Sequence, residues 1–182
     1  MRGPASGGVE FIVPTPADLS RLAALARSYY AESGMPWRDE VQGRALAMLC
    51  GGDELALGWL AAVEGADVGY LVCCLGFSVE FGGYDGFIDE LYVVPEFRRR
   101  GIGQRALAYA IAVLESRDVR AVHLQVERAL IDAQELYHRA GFVDDGRLLL
   151  TKRLAARRKP RRLTPPGSIR DAQSVRIGGN DE

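Results

Sequence analysis

A chain of 182 residues, 48% hydrophobic and 26% charged, has the make-up of a single water-soluble globular domain. Its formal net charge of −1 gives no global pull toward nucleic acid or a membrane surface. The charge is uneven: residues 155–182 hold seven Lys/Arg and three acids, a basic tail behind an acidic body. The longest apolar stretch, LALGWLAAV, is far short of the roughly 20 residues that span a bilayer. The N-terminus, MRGPASGG, has no signal-peptide core. Cys50, Cys73 and Cys74 form no C-x-x-C spacing, and an odd count argues against a disulfide framework. A cytoplasmic protein with reduced thiols is the expectation.

Residues 9–13 read as a short strand stopped by Pro14 and Pro16. Thr15 is placed to cap a helix with Pro16 at its first position, and Leu19, Leu22, Ala23, Ala26 and Tyr30 recur at helical spacing up to Gly34. Met35-Pro36-Trp37 is a connector, and a second helix covers residues 39–49, ended by Gly51-Gly52. Residues 55–63 and 68–77 form a hairpin around Glu64-Gly65-Ala66-Asp67, its second strand able to run on to Phe81 before Gly82-Gly83. Residues 87–94 are the next strand, antiparallel to the last. A helix over residues 101–115 carries Leu107, Ile111 and Leu114 on one stripe. A strand at 121–126, a helix at 131–140 closed by Gly141, and a last hairpin of 142–143 with 148–154 complete the body. The order β-α-α-β-β-β-α-β-α-β-β is a mixed α/β arrangement around one sheet. Residues 1–154 are expected to form this one domain. Residues 155–182 carry too little apolar surface to offset their ordering entropy and are expected to be disordered.

The most informative stretch is IDELYVVPEFRRRGIGQRAL, residues 88–107. An apolar strand stops at Pro95, a basic loop of Arg98, Arg99 and Arg100 follows, and Gly101-Ile102-Gly103 opens a helix. Unpaired N–H groups of a first helical turn, the helix dipole and the missing Cβ atoms at both glycines suit a phosphate-bearing ligand. Gly101 to Ala106 also satisfies G-x-G-x-x-A, the dinucleotide fingerprint, with Glu127 as a candidate ribose-binding acid. Against it, six residues separate strand from first glycine, and four strands precede a motif that normally opens its fold.

VVPEFRRRGIGQRAL resembles the central motif of the GNAT superfamily of N-acetyltransferases, with Arg98, Gly101 and Gly103 at the matching positions. Leu136-Tyr137-His138-Arg139-Ala140-Gly141-Phe142 is similar to the second signature, LY-x-x-x-GF, with Ala133 in its usual place before it. The resemblance covers residues 9–154. It implies a mostly antiparallel sheet of about six to seven strands with about four helices, the fourth and fifth strands splayed to admit coenzyme A. Acetyl-CoA is the implied cosubstrate and no metal is required. Tyr137 is implied as general acid to the departing thiolate and Glu90 as base for the amine, with Glu127 in reserve. Strand alternation places Asp89 on the face opposite Glu90. Backbone N–H groups of Leu91, Tyr92 and Val93 would bind the thioester carbonyl. Ile102, Gly103 and Gln104 would complete the pyrophosphate nest with Arg98 and Gly101, and Arg99 or Arg100 would either reach the 3′-phosphate or stay a solvated surface residue. Leu130 stands where the family has an asparagine that contacts the coenzyme arm.

Tyr29 and Tyr30 end the first helix, which walls the acceptor site in the family. The partner is a small-molecule amine, with Glu32, Glu80, Asp85 and Glu90 suiting a cationic one; two copies pairing near the C-terminal hairpin is the homodimer the family allows. His123, His138, Cys73 and Cys74 read as structural. The other classes are a coenzyme A-binding module without turnover, suggested by Leu130, and a nicotinamide-dependent oxidoreductase.

Overall fold

A computed structural model describes residues 8–154. A five-stranded sheet runs in the order of the chain: β1 (Glu10–Ile12), β2 (Ala56–Val63), β3 (Ala66–Ser78), β4 (Gly83–Val93) and β5 (Ala121–Leu124). The first four strands form an antiparallel meander, and only β5 joins parallel to its neighbour β4. Four helices cover the sheet: α1 (Leu19–Glu32), α2 (Arg44–Cys50), α3 (Ile102–Ser116) and α4 (Ile131–Arg139).

Each helix forms where apolar spacing and punctuation agree. Before α1, Thr15 donates its N–H and hydroxyl to the Asp18 carboxylate, closing a 3₁₀ turn at Pro16–Asp18 that launches the helix. Leu22, Leu25 and Ala26 of α1 pack with Leu46 and Leu49 of α2 on Leu60, Tyr70 and Tyr92 of the sheet. The opposite face is covered by α3, whose Ala106, Leu107, Ala110 and Leu114 lie on Trp59, Leu71, Cys73 and Ile88. Leu107 and Leu114 are wholly buried, each contributing about 2 kcal/mol by removal from water. Arg21 fastens α1 to the start of β3 through Asp67.

The expected final hairpin does not form: residues 142–154 carry no strand, so the sheet has five strands and not six to seven. The cause lies at the end of α4. The Phe142 N–H donates to the Tyr137 carbonyl at 3.0 Å, and the Phe142 carbonyl pairs with the His138 ring at 3.0 Å. Both backbone groups that a strand would need are committed to the helix terminus. The second helix is also shorter than expected, residues 39–43 forming a single π-turn ahead of α2. Residues 145–154 belong to a separate unit in which the Arg147 guanidinium pairs with Asp145. The basic tail lies outside the described residues. Among the described residues no helix is long and apolar enough to cross a membrane.

Candidate active site

Strand β4 is the spine of the site, and one irregularity in it decides the geometry. Its pairing with β3 steps from Val72↔Glu90 to Cys73↔Ile88, leaving Asp89 without a partner, a β-bulge. Ile88 and Leu91 therefore both pack toward α3, although residues three apart on an unbroken pleat face opposite ways. The expectation that Asp89 faces away from Glu90 is corrected by this extra residue: both residues line one cleft beneath α1 and α2.

A second consequence concerns β5. It pairs with β4 only from Asp85↔Ala121 to Ile88↔Leu124, while β3 follows β4 as far as Val93. From the bulge onward, the β4 edge toward β5 has no strand beside it among the described residues. Val94 donates its N–H to Val68 on the β3 side at 2.9 Å, so alternation turns Leu91 and Val93 toward the open edge. Tyr92 is turned the other way; its ring is buried against α1 and its hydroxyl donates to Glu32 at 3.4 Å.

The loop after β4 makes a 3₁₀ turn at Pro95–Phe97, and then Arg99 (φ 61°) and Gly101 (φ 76°) adopt left-handed conformations. For Arg99 this is strained; for Gly101 it costs nothing sterically. Among the described residues, none accepts from the N–H groups of Ile102, Gly103 and Gln104, the first turn of α3. The three arginines, by contrast, each have a protein partner. Arg98 meets both Glu32 oxygens at 2.6 Å, donates Nε–H to the Val93 carbonyl at 2.8 Å, and lies over the Tyr92 ring. Arg99 pairs with Asp132 of α4 at 3.1 Å, both well exposed, and Arg100 covers Phe97. The groups this loop leaves free to meet an anion are therefore the backbone amides and the positive end of the helix dipole, and Arg98 acts as a strut between the loop and α1.

Across the bulge, Glu90 accepts the Tyr70 hydroxyl at 2.8 Å and is also bonded by Tyr30. Burial raises its pKa above the ordinary value, and the two tyrosine bonds only partly offset this. Burial raises Asp89 too, although its outer side is open to solvent. Tyr30 is pushed up to about 12 by burial and by the Glu90 charge, so it remains a hydrogen-bond donor at neutral pH. The Tyr29 ring packs 5.7 Å from those of Tyr30 and Tyr92, and its phenol is raised by burial and then by Glu90, Asp89 and Glu127.

On the other face, α4 brings Tyr137 against the cluster that contains Leu91 of β4 and Leu124 of β5, the two lips of the opening. Burial, and then the nearness of Tyr29 across the sheet, raise its pKa. Its hydroxyl bonds to none of the described residues, while no buried side-chain oxygen among them is unsatisfied; the hydroxyl is therefore open to solvent-accessible space. Leu130 precedes α4, half exposed and without a capping bond. The carbonyls that lead into the helix are held instead by the Gln134 amide, which donates to Glu127 and Arg128.

Beside the opening between β4 and β5, Leu91 shares a cluster with Tyr137, Glu90 precedes it on β4, and the loop that follows β4 leads to the α3 N-terminus. Glu32 is committed to Arg98, Asp85 faces His123 at 3.7 Å, and neither lines the cleft that holds Glu90. Cys50, Cys73 and Cys74 are all free thiols. Asp89, Tyr70 and Trp37 were missed as site residues. Tyr70 had a signal: it stands two places from Val72, the residue opposite Glu90, on the same face of β3. The G-x-G-x-x-A turn lies in a β4–α3–β5 crossover between parallel strands, but β4 otherwise ends an antiparallel meander and residues 94–100 separate it from Gly101. A dinucleotide fold has a mostly parallel sheet whose strand runs almost directly into the first glycine.

Residues 21–142 match the family model described as the acetyltransferase (GNAT) family. The chain belongs to the GNAT acetyltransferase family. It is 33% identical over 79 residues to an "uncharacterized N-acetyltransferase" of Archaeoglobus fulgidus, a match spanning 43% of this chain and 54% of that protein, about half its length. A crystal structure of an integron cassette protein from the mobile metagenome of Cole Harbour Salt Marsh is 34% identical, with a TM-score of 0.70 over 81% of this chain and 91% of that one. An aminoglycoside N-acetyltransferase, AAC(6')-Iy, solved in complex with CoA, shares the fold at 13% identity, with a TM-score of 0.70 over 85% of this GNAT chain and 100% of that one.

Proposed function

We propose that this GNAT protein moves the acetyl group of acetyl-CoA to the primary amine of a small cationic acceptor by direct attack. The observation that carries the reading is the opening between β4 and β5, with Glu90 on one side and the unbonded Tyr137 hydroxyl on the other. The residues present suit coenzyme A: the free amides of Ile102, Gly103 and Gln104 would take the pyrophosphate, and the open edge of β4 would take the pantetheine arm. Gly101 leaves open space where a side chain would crowd the phosphates. When bound, acetyl-CoA supplies the acetyl group as a thioester.

The chain's own groups then divide the work. Glu90 takes a proton from the ammonium, whose pKa of about 10.4 otherwise leaves no lone pair at neutral pH. A carboxylate raised by burial is a better match for that proton than an exposed one. The Leu91 and Val93 N–H groups donate to the carbonyl oxygen as it gains negative charge. The Tyr137 hydroxyl gives its proton to the departing sulfur, whose thiol pKa is near 8.5 by analogy with cysteine, and recovers one from the new amide nitrogen through water. Of the two protons the ammonium loses, one ends on sulfur and one in solvent.

The test is thiol release from acetyl-CoA over a panel of primary amines, with Glu90→Gln and Tyr137→Phe in parallel. Amine-dependent release that both substitutions reduce supports the reading. Tight coenzyme A binding with no release against any amine would leave a binding module, and thermal stabilisation by NAD(P)H alone would return the glycine turn to the dinucleotide class.

A further inference from the structure

The cleft that holds Glu90 is chemically lopsided. It encloses about 200 Å³ beneath α1 and α2, smaller than pockets that take drug-sized ligands. Glu90 and Asp89 form its single anionic pole, brought side by side by the bulge. Away from that pole no charged side chain among the described residues lines the cleft: the wall is mainly hydrocarbon, from Ala26, Leu46, Leu49, Ala56 and Val72, and the neutral Gln42 amide accepts the Arg38 N–H at 2.9 Å. Trp37 and Tyr30 close it edge to face, with ring centroids 5.4 Å apart. The acid nearest Trp37 offers no second pole, because Asp39 accepts the Trp37 indole N–H at 2.8 Å and the Arg27 guanidinium at 2.6 Å. Arg27 in turn lies over the Trp37 ring at 5.2 Å.

We infer that the acceptor is a primary monoamine with a compact hydrocarbon body, its ammonium at Glu90 and Asp89 and its body along Leu46, Leu49 and Val72. This rests on the N-acetyltransferase reading and narrows it. A second ammonium on the same molecule would lie against a wall that offers it no counter-charge. Polyamines and aminoglycosides, which spread several ammonium groups over their length, are disfavoured by the same lack of a second counter-charge. A hydrocarbon tail gains from the wall in proportion to the area it buries.

A matched pair of acceptors isolates the point: n-hexylamine and 1,6-diaminohexane differ at the end remote from the reacting nitrogen. The monoamine is expected to show a kcat/KM at least about tenfold higher, the scale on which an apolar pocket separates close analogues. Calorimetric titration of the two amines into enzyme without acetyl-CoA is expected to give the same order. Ala45 is exposed on α2 yet lines the cleft, so Ala45→Glu adds a second anionic pole without disturbing the core. That variant is expected to raise turnover of the diamine and narrow the ratio. Preference for the diamine or for kanamycin, or a ratio that Ala45→Glu leaves unchanged, would overturn the acceptor assignment while acetyl transfer stands. Coenzyme A binding with no thiol release for any amine would instead remove the N-acetyltransferase reading beneath it.

Discussion

Replacing Glu90 by Gln removes the proposed base while keeping the side chain's size. In the native site Glu90 accepts from Tyr70 at 2.8 Å and from Tyr30. A glutamine oxygen can keep one of these bonds, but its NH₂ faces a second donor, a loss of about 1 kcal/mol. Relief from burying a carboxylate works in the opposite direction. The two nearly cancel, and the melting temperature at pH 7 is expected to move by less than about 4 °C. The pH dependence of stability has a definite sign. Because folding raises the Glu90 pKa, the native state binds its proton more tightly, so the native enzyme gains stability relative to the glutamine variant as pH falls from neutrality through the raised value toward the ordinary one near 4.5. Loss of general-base catalysis is expected to lower kcat/KM by at least about 100-fold at pH 7. In the native enzyme the acidic limb should report Glu90, above the ordinary carboxylate range. In the variant it should give way to a rate that climbs with pH as the free amine appears in solution. The assay is thiol release across a pH series, with melting curves at the same points. A variant within threefold of native activity (about 0.7 kcal/mol) at neutral pH, with the same acidic limb, would refute Glu90 as base.

Tyr137→Phe is expected to lower kcat by about 10- to 100-fold, the low end for general acids because the thiolate is already a fair leaving group; since the hydroxyl bonds to none of the described residues, melting should not change. Gly101→Ala forces a side chain into φ 76° at a cost of about 1–2 kcal/mol, and is expected to weaken coenzyme A binding by calorimetry and lower the melting temperature; unchanged melting would contradict the left-handed turn. Glu32→Gln breaks the half-exposed pair with Arg98 and is expected to cost up to about 1 kcal/mol at pH 7. Arg98, first through its hydrogen bond, holds the Glu32 pKa below its ordinary value. This stabilisation is present above that ordinary value and fades as pH falls through the depressed one, so native and variant melting curves should converge in acid.

Much of the body was legible because apolar spacing and turn residues agree over long stretches. The α3 stripe containing Leu107 and Leu114 is buried as its periodicity predicts, and Gly101 opens that helix in the left-handed turn that glycine favours. The bulge at Asp89 was not legible. Nothing in Ile88-Asp89-Glu90-Leu91 distinguishes a pleat from a pleat with one residue too many; the difference lies in register with β3, a long-range property. The partners of Arg98 were hidden for the same reason, since Glu32 is remote in sequence. The last hairpin failed for a local reason: leucine-rich residues 148–154 read as a strand, but the α4 terminus had already claimed the backbone of Phe142.

The central claim is that the opening between β4 and β5 loads acetyl-CoA and delivers its acetyl group to a primary amine under Glu90 and Tyr137. Mass analysis of the amine panel after incubation with enzyme and acetyl-CoA tests this most directly. The account predicts one acetyl group added per amine and one thiol released with it, both slowed at least about 100-fold by Glu90→Gln. Coenzyme A bound tightly by native enzyme, with every amine recovered unmodified, would contradict it.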